Sequence, residues 1–149
     1  MFLTQAMLRA CSFYLPVTIP DQISIYGMPR LIRWVCQIEP HGDRPKLLGY
    51  VLNALNRAGG GMVGSQQRAH VDLVRDVRTT LQPDEQKVLG TDALLGVLPR
   101  LDVIARFLGE DKSAFLEFAK SKSGQPSVEA CAKNIRDKVV NRIKSFHGN

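Results

Sequence analysis

Three short apolar runs dominate this sequence and limit the folds that it can adopt. They are residues 12–17 (SFYLPV), 47–53 (LLGYVLN) and 93–99 (ALLGVLP). Continuous apolar runs of this length are typical of strands in a parallel sheet that is covered on both faces. Stretches with helical spacing separate them, and this alternation favours right-handed parallel crossovers. The sequence therefore predicts an α/β domain with a parallel sheet of about three strands, near 12–17, 47–53 and 92–98, flanked by helices.

The segments around these runs are predicted helices. They cover about 2–10, 24–38, 65–81, 83–90, 101–108 and 110–121, with a closing helix at 127–146. Pro29 lies in the opening turns of its helix, where proline is tolerated best. The glycine-rich segment 59–65 predicts a flexible loop. A phosphate-binding role is disfavoured there, because Met62 and Val63 are apolar and no lysine follows Gly64.

Length and composition set the class of protein. The chain has 149 residues, a length that suits one domain. Its net charge of +6 suits either contact with an acidic partner or solvated cations on helix faces. Three widely spaced cysteines indicate no disulfide framework. Without a basic leader or an apolar run of about 18 residues, we expect a cytoplasmic protein with no membrane span. The histidines and cysteines have no metal-site spacing, and G-x-S-x-G is absent.

Several stretches share an order with a known family. Residues 3–17 read LTQAMLRACSFYLPV, Asp21, Ser24 and Gly27 follow, and residues 47–53 and 96–100 read LLGYVLN and GVLPR. This ordered set resembles the region after the Walker B aspartate in ParA/MinD/Soj-type ATPases. Residues 130–143 are similar to the closing helix of that family. Ser12 stands where the family usually has aspartate.

The resemblance implies a partial P-loop NTPase (Rossmann-like) domain. The upstream half of the family carries the phosphate loop K-G-G-x-G-K-T and the Walker B aspartate, and this sequence contains neither. Residues 1–149 are then expected to be a single incomplete domain, the C-terminal half of such an ATPase. ATP and Mg²⁺ are the implied cofactors of the complete protein. We expect no ATP hydrolysis by this chain alone, since hydrolysis requires the phosphate-loop lysine and the Mg²⁺ ligands.

The resemblance also implies site residues and partners. Asn53, Pro99 and Arg100 correspond to the nucleotide base pocket, and Pro16 and Asp21 to a loop facing the nucleotide and the dimer partner. Each of these has a plain alternative as a turn or strand-end residue. The implied partners are a matching N-terminal half, a homodimer partner or a ParB-like protein. The implied role is plasmid or chromosome partition, or cargo positioning.

Basic residues on two predicted helices suggest contact with DNA. The candidates are Arg68, Arg75, Arg78, Arg136 and Arg142. The family is thought to bind DNA non-specifically, which is mostly phosphate neutralisation. The alternative is a solvated face balanced by nearby aspartates and glutamate. A different class of function also stays open: a non-enzymatic basic α/β interaction module that docks a protein partner or DNA.

The resemblance leaves the first strand without its neighbour in the family, the phosphate-loop strand. Residues 13–17 would then border an open sheet edge and an uncovered apolar face. We therefore expect marginal stability and self-association, relieved by a matching N-terminal half.

Overall fold

The computed structural model describes residues 2–38, 44–55, 57–58, 61–62, 64–99 and 128–148. Its helices are α1 (Phe2–Arg9), α2 (Gln22–Ile38), α3 (Gly64–Thr80), α4 (Pro83–Leu89) and α5 (Val128–His147). Its strands are β1 (Phe13–Tyr14), β2 (Val17–Thr18), β3 (Lys46–Leu47), β4 (Tyr50–Leu55), β5 (Arg57–Ala58), β6 (Gly61–Met62) and β7 (Leu94–Pro99). The predicted helices at 101–108 and 110–121, and Arg100, lie outside the described residues.

The predicted α/β arrangement with parallel strands is present. β1 pairs with β3, β2 with β4, and β4 with β7, all in parallel. We call β1 with β2 the first strand, β3 with β4 the central strand, and β7 the third strand. The parallel pairings form two ladders, β1–β3 and β2–β4–β7, and in both the order of the strands follows their order in the sequence. Among the described strands, the first and the third therefore form the two edges.

A bulge at Gly49 interrupts the central strand. Phe13 pairs with Lys46 but Val17 pairs with Val51, so the central strand holds one more residue than its neighbour between these pairs. Gly49 has φ 111°, a conformation that favours glycine. The extra residue resets the alternation of side chains between the two faces of the sheet. It also explains why the predicted continuous run is two strands here.

The first face of the sheet is covered by α2, α3 and α4. Central-strand residues Leu47, Tyr50 and Leu52 are buried in its core. The helices contribute Met28, Ile32, Ala69, Leu73, Val77 and Leu89, and Leu81 joins them from the connection between α3 and α4. In α3 the buried residues recur at intervals of three and four, which places one apolar stripe against the sheet. We call this the α2/α3 face.

The opposite face of the sheet is covered by α5. Leu48, Val51 and Leu95 are buried there, and Ile135, Val139, Ile143 and Phe146 of α5 pack against them. Gly96 of the third strand lies so close to Ile135 that a Cβ would collide with its side chain. This close approach accounts for a glycine within a strand. We call this the α5 face.

Several local predictions differ from the structure. The segment 59–65 is not simply a loop, because Arg57–Ala58 and Gly61–Met62 pair antiparallel as a hairpin. The sequence Gly59-Gly60 between them is a favoured two-residue hairpin connection. The closing helix begins at Val128 and the 24–38 helix begins at Gln22, each within two residues of the prediction. Pro29 is thus the eighth residue of α2, deeper than expected.

Candidate functional site

Three of the candidate residues lie near the same edge of the sheet. Pro99 ends the third strand and Asp21 follows the first strand, whereas Asn53 lies inside β4, two residues before its end and not at the strand end that the sequence predicted. The first strand ends at Thr18, the central strand at Leu55 and the third at Pro99. Thr18 pairs with Leu52, and Leu55 pairs with Pro99. Exposed Asn53 therefore lies near the carboxyl edge of the sheet together with the backbone of Pro99, and Asp21 follows the first strand there. Parallel sheets bind ligands beyond this edge.

The Asp21 carboxylate has a local structural role. Its Oδ1 accepts a hydrogen bond from the backbone N–H of Ser24 at 2.7 Å. Since α2 begins at Gln22, this is an N-cap, in which a carboxylate satisfies a free amide of the first turn. An aspartate three residues before a serine at a helix start is a signal that sequence reading could have used.

Pro16 lies within the first strand, not in the loop after it. Its carbonyl accepts a hydrogen bond from the N–H of Val51 at 3.0 Å. Proline has no N–H to donate to the ladder, and the strand is divided into β1 and β2 at this point. Pro16 therefore belongs to the sheet.

An exposed apolar patch adjoins this edge. We call it the edge patch, and its members are Val17, Ile19, Ile23 and Tyr26. Ile23 and Tyr26 are 86% and 66% exposed on the first turns of α2, and Val17 is 59% exposed on the first strand. Exposed apolar side chains near one edge of a sheet are candidates for a contact surface.

Arg142 has a structural role. Its Nη1 donates to the carbonyl of Leu48 at 2.6 Å and to that of Ala93 at 3.3 Å, and its Nη2 donates to the carbonyl of Asp92 at 2.6 Å. The guanidinium fills the space beside Gly49, where a Cβ would collide with it. Burial lowers the pKa of Arg142, partly offset by the charge of Asp92. Because the Arg142 guanidinium is bonded to carbonyls of the sheet, Arg142 is not counted among the residues of a DNA-binding surface.

The other candidate arginines fall into two groups. Arg75 pairs with Asp72 and Asp76, at 3.1 and 3.2 Å, and Arg136 pairs with Asp137 at 2.9 Å. Arg68 and Arg78 are exposed on α3 and form no ion pair within the described part of the chain. These two are the cations best placed to meet an external anion.

A buried polar cluster at the other end of the sheet was not predicted. Glu85 is 1% exposed; its Oε1 accepts from the N–H of Leu47 at 2.9 Å and its Oε2 from the N–H of Gln82 at 3.1 Å. The carboxylate thus joins α4 to the central strand. A glutamate at the third position of a helix with proline at its start is the signal that could have revealed it.

The same cluster contains Cys36, whose thiol accepts a hydrogen bond from Arg44 Nη1 at 2.9 Å. Burial raises the pKa of Cys36, although Arg44 opposes the shift. The thiol therefore stays protonated near neutral pH, which does not suit a nucleophile. The buried hydroxyl of Tyr14, which packs against the same core, has no hydrogen-bond partner among the described residues.

His70 and Tyr50 form a second polar contact, on the α2/α3 face. The Tyr50 hydroxyl and His70 Nε2 are 3.2 Å apart, and both line a small open pocket together with Arg78 and Asp92. Burial lowers the pKa of His70, and the charge of Asp92 acts in the opposite direction.

Within the described ranges, no group of three His, Cys, Asp or Glu residues is arranged to hold a metal ion. None of the helices described there is long and apolar enough to span a membrane. A scan against protein-family models, a search of curated proteins and a search of solved structures each return no match.

Proposed function

We propose that this chain is the C-terminal half of a ParA/MinD/Soj-type ATPase, a partial P-loop NTPase domain. The complete protein would use ATP and Mg²⁺ to switch its association with partners during plasmid or chromosome partition or cargo positioning. Such proteins act in the cytoplasm, with a ParB-like protein among the implied partners. The sequence lacks the phosphate loop, so the chain alone is expected to be inactive as an ATPase.

The strand order is the observation that carries this proposal. The family places its phosphate-loop strand beside the strand that corresponds to our first strand. Here the first strand lies at an edge of the described sheet, so no described strand occupies that position. Asn53 and the backbone of Pro99 lie near the carboxyl edge, where a base pocket would form. The edge patch beside Asp21 fits the implied dimer-facing loop.

Complementation tests the proposal. The chain is co-expressed with the N-terminal half of a ParA-type ATPase that carries K-G-G-x-G-K-T, and binding of a fluorescent ATP analogue is measured. We expect binding by the complex and neither tight binding nor turnover by the chain alone. In the complex, Asn53→Ala should weaken binding about tenfold, while Gln67→Ala, an exposed change on α3, should leave it unchanged.

Two results would contradict the proposal. Mg²⁺-dependent ATP turnover by the purified chain alone would show that it needs no phosphate-loop half. Failure of every tested N-terminal half to form a complex would remove the basis for a split domain.

A non-enzymatic basic interaction module is the second candidate. The observation in its favour is the pair of exposed cations on α3, Arg68 and Arg78, which form no ion pair with any residue that the structure describes and suit phosphate contact without catalysis. It differs from the first candidate in requiring no complementing half for binding. Its salt dependence is considered in the Discussion.

A further inference from the structure

We propose that the outer edge of the first strand is a self-association surface on which two copies of this chain pair antiparallel. The inference uses only the directions of backbone groups and the exposure of side chains. It is independent of the nucleotide proposal, although a complementing half would cover the same edge.

On the side of the first strand that faces the central strand, the backbone groups are hydrogen-bonded to that strand. The carbonyls of Ser12, Tyr14 and Pro16 accept from the N–H groups of Lys46, Leu48 and Val51, at 2.9, 3.1 and 3.0 Å. Backbone groups of successive residues point to opposite sides of a strand. The N–H and C=O groups of Phe13, Leu15 and Val17 therefore point outward. Among the described residues, no backbone group pairs with them.

Within the residues that the structure describes, this edge lacks the usual protection against strand addition. Natural edges are blocked by charged side chains or by a proline whose missing N–H faces outward. Residues 10–20 contain no charged side chain. Pro16 points its missing N–H inward, because its carbonyl bonds to Val51. The outer row of donors and acceptors is therefore intact, and it carries no charge to repel an identical strand.

A two-fold axis that passes between the Leu15 residues of two copies defines a register in which all three outward-facing residues are paired. Leu15 then faces Leu15 of the second copy, and Phe13 faces Val17 of the second copy. Each of these outward residues has an N–H, so every pair exchanges two hydrogen bonds. Isologous pairing of this kind closes as a dimer.

The side chains suit the same register. Val17 pairs with Val51, and paired residues of neighbouring strands share a face, so Val17 belongs to the α5 face. Phe13 packs on that face too, against Phe146. In the dimer each Phe13 would lie beside Val17 of the second copy. Aromatic and β-branched residues form favourable cross-strand pairs, and this one would cover a valine that is 59% exposed.

Sedimentation with two matched variants tests the surface. Val17→Lys places a charge at the proposed strand–strand interface. Val71→Lys is its control, because Val71 is 62% exposed on α3, away from that interface. We expect a reversible monomer–dimer equilibrium in the unmodified chain. Val17→Lys should raise the dimer dissociation constant at least about tenfold, and Val71→Lys should not change it.

Amide hydrogen exchange supplies a second readout that does not depend on any variant. The amides of Phe13, Leu15 and Val17 should be protected only at high protein concentration. Those of Tyr14 and Thr18, which face the central strand, should be protected at every concentration. If Val17→Lys fails to fold, this pattern in the unmodified chain decides the question.

Four outcomes would overturn the proposal. They are a monomer at every concentration, open-ended aggregation, equal dimerisation of both variants, and protection of the three outward amides that is independent of concentration. Each of them leaves the complementation test of the nucleotide proposal unaffected.

Discussion

One guanidinium, that of Arg142, satisfies three backbone carbonyls at the bulge of the central strand. Replacing Arg142 with alanine should lower the free energy of unfolding by about 2–3 kcal/mol, because charge-assisted hydrogen bonds are lost and the carbonyls are left without donors. Urea denaturation measures the change. Arg136→Ala, which breaks only an exposed pair on the same helix, should change it by no more than about 0.5 kcal/mol. Equal effects of the two substitutions would contradict this role.

His70 makes stability depend on pH. Its pKa is lowered in the folded chain by burial, despite the opposing charge of Asp92, so the unfolded chain binds the proton more readily. Its contribution is therefore present above the ordinary histidine pKa of about 6.5 and is lost as pH falls below that value. Urea denaturation between about pH 7.5 and 5 should show decreasing stability. His70→Gln, which retains a hydrogen-bonding group for Tyr50, should flatten the curve; an unchanged curve would assign the dependence to other groups.

At the scale of elements, α3 presents a buried apolar stripe to the sheet and a basic side outward. If that side contacts DNA, the double change Arg68→Glu with Arg78→Glu should weaken binding and reduce the slope of log affinity against log salt by about 2, roughly one for each phosphate contact. The matched control changes Arg75 and Arg136 to Glu, which are already paired with acids. Salt titration by fluorescence anisotropy makes the comparison. Absence of binding at low salt, or an equal loss in the control, would assign these arginines to a solvated face.

The elements that sequence predicts well are those with a local signal. The apolar runs located all three strands, and the α3 stripe located its helix to within about a residue at each end. The bulge had no such signal, because the run is apolar throughout and only the strand pairing reveals that Leu47 and Tyr50, three positions apart, face the same side. Arg142 likewise looked like a surface cation, since its partner carbonyls lie far away in the sequence. The base-pocket role of Asn53 remains a prediction.

At the scale of the whole molecule, the sheet is small, no described strand pairs with the outer edge of its first strand, and an exposed apolar patch lies nearby. We therefore expect thermal unfolding of the purified chain within or below the usual mesophile range of about 45–65 °C. Differential scanning calorimetry at low protein concentration, where self-association is minimal, gives the midpoint. A complementing N-terminal half should raise it by covering the edge, and an unrelated basic protein should not. A cooperative midpoint above about 65 °C, with a monodisperse monomer, would contradict the half-domain interpretation.

The contact between Arg142 and the central-strand bulge also bears on how the chain acquires its structure. Arg142 is separated from Leu48 by 94 positions and from Asp92 by 50. Contacts this distant in sequence impose a large loop-closure entropy and slow the folding of the domains that depend on them. During synthesis on a ribosome, the carbonyls at the bulge would accept hydrogen bonds from water until α5, which carries Arg142, emerged. The sheet should therefore reach its final hydrogen bonding only after α5 has been synthesised, leaving an interval in which its edge can pair with other chains.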